Sequence, residues 1–249
     1  MIKYLILDMG KVLIEPASGN WFVTNEFLKN VDISKINEDK LKEAIKSSRY
    51  LLDGKAQNLE DEYKIIMEFY KTIFQKINYN ITKEKLENIV NSFVYDEDDS
   101  KYILYKNVKE DLEKLSKKYT ILMLSDNWPS AINYLKKQNI DQYFTKKYIS
   151  SMYGKRKQDE VLFDYPIKEL DIKENEAIFI DDNEELLDIA AKKGLLVLHM
   201  DRNKTIKTSK YKIIHDFSDL IKNDLIYKKW YGLCAKGTYS RRWGNMDQK

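Results

Sequence analysis

Three apolar segments of this sequence each end in polar side chains that can bind ions. The groups are Asp8 after residues 4–7, Ser125, Asp126 and Asn127 after residues 121–124, and Asp181, Asp182 and Asn183 after residues 177–180. In an open α/β sheet the carboxyl ends of the strands form the ligand-binding edge, so these groups are expected to converge. Carboxylates from two strands can share one hard divalent cation, and oxygen ligands suit Mg²⁺ bound together with a phosphate. The pattern therefore predicts a Mg²⁺-dependent enzyme that handles phosphoryl groups.

The elements that must position these groups alternate between helix and strand from residue 107 onward, which is typical of crossover units in a parallel sheet. Asn107 and Glu110 have the spacing of a capping box and predict a helix start. Pro129 suits the first turn of a helix whose free amides point back toward Ser125, a geometry that binds anions. Gly194 is expected to end the helix that follows the aspartate pair.

The segment between the first strand and this alternating region has a different pattern. Residues 21–95 show the periodicity of helix packing faces and no convincing strand. We therefore predict an α/β fold with a Rossmann-like parallel sheet core and an inserted helical cap. The core is expected to comprise residues 1–14 and 104–226, and the cap residues 15–103. Residues 227–249 form a C-terminal tail rich in basic and aromatic side chains.

Composition bounds the function classes that remain. A hydrophobic content of 43% over 249 residues is enough for a buried core. The net charge of +3, from 43 basic and 40 acidic residues, gives no field typical of a nucleic-acid binder. Cys234 is the single cysteine, which excludes an internal disulfide and fits a reducing compartment. The apolar segment at residues 1–7 is too short for a signal peptide or a membrane span, so we expect a cytoplasmic protein without a membrane or nucleic-acid partner. Its oligomeric state is left open.

Four short motifs follow one another between residues 4 and 183. They read LILDMGKV, ILMLSDN, GKRKQD and IFIDDN, and each lies at the end of an apolar run or on a loop. Together, and in this order, they resemble the four motifs of the haloacid dehalogenase (HAD) superfamily. The resemblance is greatest to its small-molecule phosphatases with a helical cap inserted after the first motif, such as sugar-phosphate phosphatases and the phosphatase domain of epoxide hydrolases. It implies a HAD-like hydrolase of phosphate monoesters whose substrate is a small phosphorylated molecule.

The resemblance implies two catalytic residues. Asp8 would be the nucleophile that forms an aspartyl-phosphate, and a carboxylate suits this role because it is ionised at neutral pH without a base. Lys157 would steady the nucleophile and the charge that develops on the phosphate. We favour Lys157 over Lys155 and Arg156 because it begins the motif's Lys-x-Asp tail, although Gln158 stands where proline is usual.

The resemblance also implies the groups that bind metal and phosphate. The metal would be held by the carboxylates of Asp8 and Asp182, by the backbone carbonyl of Gly10, and by Asp181 directly or through water. Adjacent carboxylates at a strand end are costly unless a cation offsets their repulsion, which favours this interpretation of the pair. The predicted phosphate-binding groups are the hydroxyl of Ser125 and the nearby amides of Asp126 and Asn127. A simple helix cap would account for this last segment about as well.

The first motif departs from the family pattern at Gly10. Most phosphatases of the family carry a second aspartate at this position as general acid and base, although some have glycine. General acid–base assistance is worth about 10²- to 10⁴-fold, so its absence slows turnover without abolishing it. Glu15, Asp126 or a cap residue can substitute, or the substrate can have a good leaving group; the sequence does not choose among them. Lys11 lies beside the nucleophile and is given no role.

Three functions are compatible with these residues. A Mg²⁺-dependent phosphomonoesterase uses Asp8, Ser125, Lys157 and Asp182 together. A dehalogenase also lacks the second aspartate and has a similar Leu-Ser-x-x-x-Pro second motif, but dehalogenases of this family work without metal, so the pair Asp181 and Asp182 argues against it. A non-catalytic module would keep the fold and the phosphate pocket without turnover.

Overall fold

The structure, a computed structural model, describes residues 1–95, 101–173 and 175–222. Its strands in chain order are β1 (Tyr4–Leu7), β2 (Ile14–Pro16), β3 (Tyr102–Leu104), β4 (Thr120–Ser125), β5 (Phe144–Ile149), β6 (Ala177–Asp181), β7 (Leu196–Met200) and β8 (Ile213–Ile214). Six of them form a parallel sheet in the order β5-β4-β1-β6-β7-β8. The predicted α/β fold with a parallel sheet is confirmed, and the polar groups at residues 8, 125 and 181 lie at the ends of β1, β4 and β6.

Ten α-helices accompany the strands in the described residues. They are α1 (Asn25–Asn30), α2 (Glu38–Ser48), α3 (Leu59–Lys76), α4 (Lys83–Tyr95), α5 (Val108–Ser116), α6 (Ser130–Lys137), α7 (Ser150–Tyr153), α8 (Val161–Glu169), α9 (Glu184–Lys192) and α10 (Ser218–Lys222). Helices α1 to α4 share an apolar cluster of their own and form the cap. None of the helices described is long and apolar enough to cross a membrane.

The central strand β1 is buried on both faces. Leu5 and Leu7 belong to one apolar cluster of the core, and Ile6, which points the other way, belongs to the second. This alternation follows from the two-residue period of a strand, and burial on both faces explains why the segment is a continuous apolar run. The packing fixes the position at which Asp8 leaves the sheet.

Two local predictions have different outcomes. Gly194 ends α9 with a left-handed backbone (φ +83°), as expected of a helix-terminating glycine. The predicted capping box at Asn107 is wrong: Asn107 is itself left-handed (φ 67°), and its side chain makes no capping hydrogen bond. Asparagine tolerates this conformation better than most residues, so here it serves the turn into α5 through its backbone.

An antiparallel ribbon of β2 and β3 joins the cap to the core. The chain leaves the core through β2 and returns through β3, with Ile14 opposite Leu104 and Pro16 opposite Tyr102. This ribbon was not predicted, because strands of three residues carry almost no periodicity. The boundaries predicted at residues 14/15 and 103/104 fall within it. The predicted tail, residues 227–249, and the last residues of the predicted core, 223–226, lie outside the described residues.

Buried polar contacts hold the cap on the core. The carboxylate of Glu62, on α3, is fully buried and accepts hydrogen bonds from the backbone N–H (2.8 Å) and hydroxyl (2.6 Å) of Ser130 at the start of α6. Lys101 donates to the same hydroxyl at 3.3 Å. Nearer the sheet edge, Asp53 of the cap pairs with Arg156 at 2.5 Å. These contacts set the distance between the cap and the strand ends.

Candidate active site

Three carboxylates meet at the carboxyl edge of the sheet. Strands β1 and β6 are neighbours with Leu7 opposite Ile180, so Asp8 and Asp181 leave the sheet side by side. One oxygen of each of Asp8, Asp181 and Asp182 lies within 4.8 Å of the others. Asp8 and Asp181 are buried, and Asp182 is partly exposed. The structure thus brings together the acidic residues that the sequence analysis assigned to a metal.

Lys157 lies between two of these carboxylates. Its ammonium Nζ is 2.8 Å from Asp8 Oδ1 and 2.7 Å from Asp181 Oδ2. Burial lowers the pKa of Lys157, but the carboxylates of Asp181 and Asp8 outweigh burial and raise it above the ordinary lysine value. Lysine 155 is exposed and Arg156 pairs with the cap, so of the three cationic residues on this loop Lys157 is the one beside Asp8.

Crowding perturbs the acidic groups as well. Burial, followed by the influence of Asp8 and opposed by Lys157, raises the pKa of Asp181 to about 7. Burial and Asp8 also raise the pKa of Asp182, while Lys11 opposes the rise. Crowded carboxylates with raised pKa values are stabilised in their ionised form by a cation that offsets their repulsion. The oxygen donors, their spacing and their perturbed pKa values fit a hard divalent ion such as Mg²⁺.

The carboxylate of Asp181 is already engaged at both oxygens. Asp181 Oδ2 pairs with Lys157, and Oδ1 accepts the backbone N–H of Asn183 at 2.8 Å. Asp182 Oδ2 has one partner, Lys11 Nζ, at 3.2 Å. Asp8 and Asp182 therefore offer their oxygens to a cation more readily than Asp181 does. Binding of the metal by Asp181, directly or through water, stays a prediction.

The second predicted group lies on the strand next to β1. Ser125 is 1% exposed at the end of β4. The carboxylate of Asp126 accepts the backbone N–H of Lys157 at 3.0 Å, which fixes the loop that carries the lysine. The backbone N–H of Asn127 donates to Ser150 Oγ at 3.1 Å. This hydrogen bond engages an amide that the sequence analysis expected to face a phosphate.

Lys11, which received no role from the sequence, has a defined place. Its backbone is left-handed (φ 53°), a conformation that costs a residue with a side chain and is kept only where the surroundings support it. The support includes Arg202, whose guanidinium donates twice to the carbonyl of Val12 at 2.6 and 3.1 Å. The turn after the nucleophile thereby directs the Lys11 ammonium to Asp182.

His199, on β7, supports the loop that carries Asp182. Its Nε2 is 2.9 Å from the backbone carbonyl of Asp182, and its Nδ1 is 2.8 Å from Ser209 Oγ. No sequence spacing links His199 to Asp182. The contact exists because β6 and β7 are neighbours, with Asp181 opposite His199.

A cleft of about 570 Å³ lies between the cap and the strand ends and contains Asp8 and Asp182. Its aromatic lining consists of Trp21, Phe22, Phe93, Tyr102 and Trp128. Cationic side chains also line it, among them Arg49 from the cap and Lys155 and Arg156 from the third motif. Sequence analysis treated the apolar cap residues only as packing faces, because periodicity does not reveal which of them reach the site.

Comparison with known families gives one match. The family model described as haloacid dehalogenase-like hydrolase matches residues 5–199, a span that includes all the predicted site residues. Comparison with curated proteins gives no match.

Solved structures with the same fold include enzymes and a magnesium complex. The 2-haloacid dehalogenase from Pseudomonas syringae pv. Tomato DC3000 has a TM-score of 0.62 and 15% identity, over 92% of this chain and 100% of that chain. The L-2-haloacid dehalogenase from Xanthobacter autotrophicus has a TM-score of 0.63 and 13% identity, over 89% and 98%. YfnB from Bacillus subtilis, bound to magnesium, has a TM-score of 0.61 and 13% identity, over 89% and 97%. At these identities the likeness shows the fold alone.

Proposed function

The chain belongs to the haloacid dehalogenase-like hydrolase family, and from this premise we propose that it is a Mg²⁺-dependent phosphomonoesterase acting on a small phosphorylated molecule. The observation that carries the proposal is the cluster of Asp8, Asp181 and Asp182, whose oxygens lie within 4.8 Å of one another. Three carboxylates this close together are stabilised by a shared divalent cation, which offsets their repulsion.

The charge of the site supports a divalent cation. Three carboxylates are offset by the two ammonium groups of Lys157 and Lys11, which leaves one net negative charge. A phosphate monoester dianion would be repelled by such a site. One divalent cation reverses the sign of the site and makes binding of the dianion favourable.

The residues would divide the reaction as follows. An oxygen of Asp8 attacks phosphorus, the bond from phosphorus to the ester oxygen breaks, and the leaving group takes the electron pair. Water then attacks the aspartyl-phosphate and releases inorganic phosphate and free Asp8. Lys157 offsets the negative charge beside Asp8 during both steps. Mg²⁺, held by Asp8, Asp182 and the carbonyl of Gly10 with Asp181 in support, would neutralise charge on the transferring phosphoryl group.

A dehalogenase is the second candidate. It is favoured by the glycine at residue 10 and by the dehalogenases among the structures of the same fold. In that reaction Asp8 would attack carbon, displace a halide and form an ester that water hydrolyses, without metal. The adjacent carboxylates of Asp181 and Asp182 weigh against it, because a reaction without metal leaves their repulsion without a divalent cation to offset it.

One comparison tests these proposals. The purified protein is incubated with para-nitrophenyl phosphate and, separately, with L-2-chloropropionate, each with Mg²⁺ and with EDTA. We expect Mg²⁺-dependent release of phosphate, no release of chloride, and a loss of about 10⁴-fold or more in Asp8→Asn. Asp39→Asn, the same change on the exposed face of α2, serves as the control and should keep full activity.

Other outcomes decide against the proposal. Chloride release that EDTA leaves unchanged would assign the protein to the dehalogenases. Tight binding of inorganic phosphate without turnover of any ester would make it a non-catalytic phosphate-binding module.

A further inference from the structure

An indole ring closes the cleft beside the nucleophile. A Cβ atom built on Gly10 would lie 3.8 Å from Asp8 Oδ2 and 3.5 Å from Trp21 Cη2. The edge of the Trp21 ring therefore lies over Gly10, and a single methyl group on Gly10 would contact both that ring and the Asp8 carboxylate. A side chain at residue 10 would occupy the volume next to a phosphoryl group on Asp8, and Trp21 bounds that volume instead.

The backbone does not require glycine at this position. Gly10 is outside the left-handed region, and its added Cβ would make only an ordinary van der Waals contact with the indole. Trp21 is held in place by the edge of Tyr102 at 5.8 Å, and Tyr102 in turn packs edge-on against Tyr134 at 5.3 Å between ring centroids. Residue 10 thus has no polar side chain, and the space beside it is bounded by the apolar ring of Trp21, which Tyr102 supports.

The acidic side chains that do line the cleft are all engaged. Asp8 and Asp182 pair with lysines. Asp53 pairs with Arg156, Asp126 accepts the N–H of Lys157, and Asp159 accepts the N–H of Arg156 at 2.7 Å. Each of these partners favours the ionised carboxylate, although burial raises the pKa of Asp126 and of Asp182 above the ordinary aspartate value. Asp182 would be held by the metal, so Asp126 is the acidic side chain that an experiment has to exclude.

Histidine does not supply the missing proton either. Among the described residues neither His199 nor His215 lines the cleft. Both rings bind backbone carbonyls of the core, those of Asp182 and Asp201. Lys11 and Lys157 are held by carboxylates, and Lys155 lies on the exposed part of the loop. The side of the cleft over Gly10 therefore presents the Trp21 ring rather than an acid.

We infer that this enzyme gives its leaving group no proton and that its substrate is a phosphate ester of a conjugated alcohol, an aryl or enol phosphate. The inference rests on the proposed phosphomonoesterase function. When the Asp8 oxygen bonds to phosphorus, the ester bond breaks and its electron pair leaves as a phenolate or enolate, which takes a proton from water afterwards. Conjugation stabilises that anion, and a flat conjugated body stacks on the aromatic lining of the cleft.

A series of esters tests the missing acid. Para-nitrophenyl, phenyl and benzyl phosphate all carry a ring, but only benzyl phosphate must expel an alkoxide. In wild type kcat should fall steeply along this series, with benzyl phosphate slower than phenyl phosphate by at least about 10²-fold, the smallest effect usual for a missing general acid. Rates for phenyl and benzyl phosphate within a few-fold of each other would overturn the inference.

A matched pair of variants tests whether the missing acid at residue 10 causes the dependence of kcat on the leaving group. Gly10→Asp combined with Trp21→Ala makes room for an acid, and we expect it to narrow the ratio of phenyl to benzyl rates by about 10-fold or more. Gly10→Asn combined with Trp21→Ala has the same shape without the proton and should keep the wild-type ratio. Equal ratios in the two double variants would overturn the assignment. If wild type shows a flat series that Asp126→Asn makes steep, Asp126 is the acid and the inference fails.

The aromatic preference has its own readout. Trp21→Leu should raise KM for para-nitrophenyl phosphate by about 2- to 10-fold, the range expected for one lost aromatic contact, and leave KM for acetyl phosphate unchanged. Acetyl phosphate has a good leaving group but no ring, so an equal rise for both esters would contradict stacking. If para-nitrophenyl phosphate is not hydrolysed at all, the proposed function itself is wrong. If all three esters are hydrolysed rapidly and at similar kcat, only the present inference is wrong.

Discussion

Lys157 is the residue on which the charge balance of the site depends. It is 2% exposed and lies 2.8 Å from Asp8 and 2.7 Å from Asp181. Two buried carboxylates this close to each other are tolerated because one buried ammonium serves both. The lysine therefore has a structural role that precedes any catalytic one.

Replacing Lys157 should damage both stability and turnover. In Lys157→Met the two carboxylates lose their buried partner, and we expect the free energy of unfolding to fall by about 3–5 kcal/mol. Lys155→Met, two residues earlier on the same loop, should change it little because Lys155 is exposed. Urea unfolding of both variants, with hydrolysis of an aryl phosphate measured in parallel, checks this. Equal stabilities would mean that solvent reaches the carboxylates freely.

At the residue scale the sequence predicts the site residues that lie at the ends of strands. The positions of Asp8, Ser125 and Asp181 follow from apolar runs that end in polar groups, and the structure brings them together. Trp21 and Lys11 could not be placed in this way. Trp21 contacts the region over Gly10 because of how the chain folds between β2 and α1. The direction of the Lys11 side chain depends on a left-handed backbone conformation at Lys11, which a lysine in the sequence does not predict.

At the scale of elements the contact between α3 and α6 couples the cap to the second motif. Glu62 of α3 binds the first residue of α6, the helix that follows Ser125 and Asp126. Burial raises the pKa of Glu62, and Lys101 opposes the rise. A carboxylate buried at a helix start satisfies backbone N–H groups there and interacts favourably with the helix dipole.

Removing this contact should loosen the cap. Glu62→Ala leaves the backbone N–H and the hydroxyl of Ser130 without their buried acceptor and removes the negative charge that faces Lys101. We expect a loss of about 3 kcal/mol or more in the free energy of unfolding. Glu60→Ala on the same helix removes only an exposed ion pair with Lys64 and should be nearly neutral. Hydrogen exchange at the start of α6 should quicken in the first variant alone. A neutral Glu62→Ala would show that the cap is held by its other contacts.

Element prediction succeeded where patterns are long and failed where they are short. The parallel sheet and the helical cap follow from periodicity sustained over many residues. The ribbon of β2 and β3 is formed by partners about 90 residues apart in sequence, Ile14 and Leu104 among them, so neither strand has a local signal. The helix start predicted at Asn107 is correct, since α5 begins at Val108, but the capping box is wrong because a capping motif and a left-handed turn use the same residue type.

At the scale of the whole molecule the crowded carboxylates make stability depend on pH. Burial raises the pKa of Asp181 to about 7 and also raises that of Asp182. In the unfolded chain both return to the ordinary aspartate value of about 4. The folded protein therefore binds more protons between about pH 4 and pH 7 through Asp181, and Asp182 adds to this above about pH 4. Without metal, the free energy of unfolding should therefore fall as pH rises through this window, by up to about 1.4 kcal/mol per pH unit for each group.

Magnesium should reverse this trend. The ion replaces the proton at the carboxylates, so the stabilisation by Mg²⁺ should be larger at about pH 8 than at about pH 5. Thermal and urea unfolding across this range, with Mg²⁺ and with EDTA, measures the effect. Asp181→Asn should lose part of the slope seen in EDTA. Parallel curves for wild type and Asp181→Asn would show that Asp181 titrates normally.

The position of β1 in the middle of the sheet has a consequence for the order of assembly during synthesis. Its partners are β4, where Tyr4 faces Thr120, and β6, where Tyr4 faces Ala177. The four cap helices are contiguous and emerge from the ribosome before either partner strand, so they can complete their own cluster first. Until β4 and β6 have been synthesised, the side chains of residues 5–7, which are fully buried in the folded protein, have no sheet to pack into. The nascent chain thus carries an unpaired apolar strand after its cap is complete, and we expect chaperones to bind during this interval.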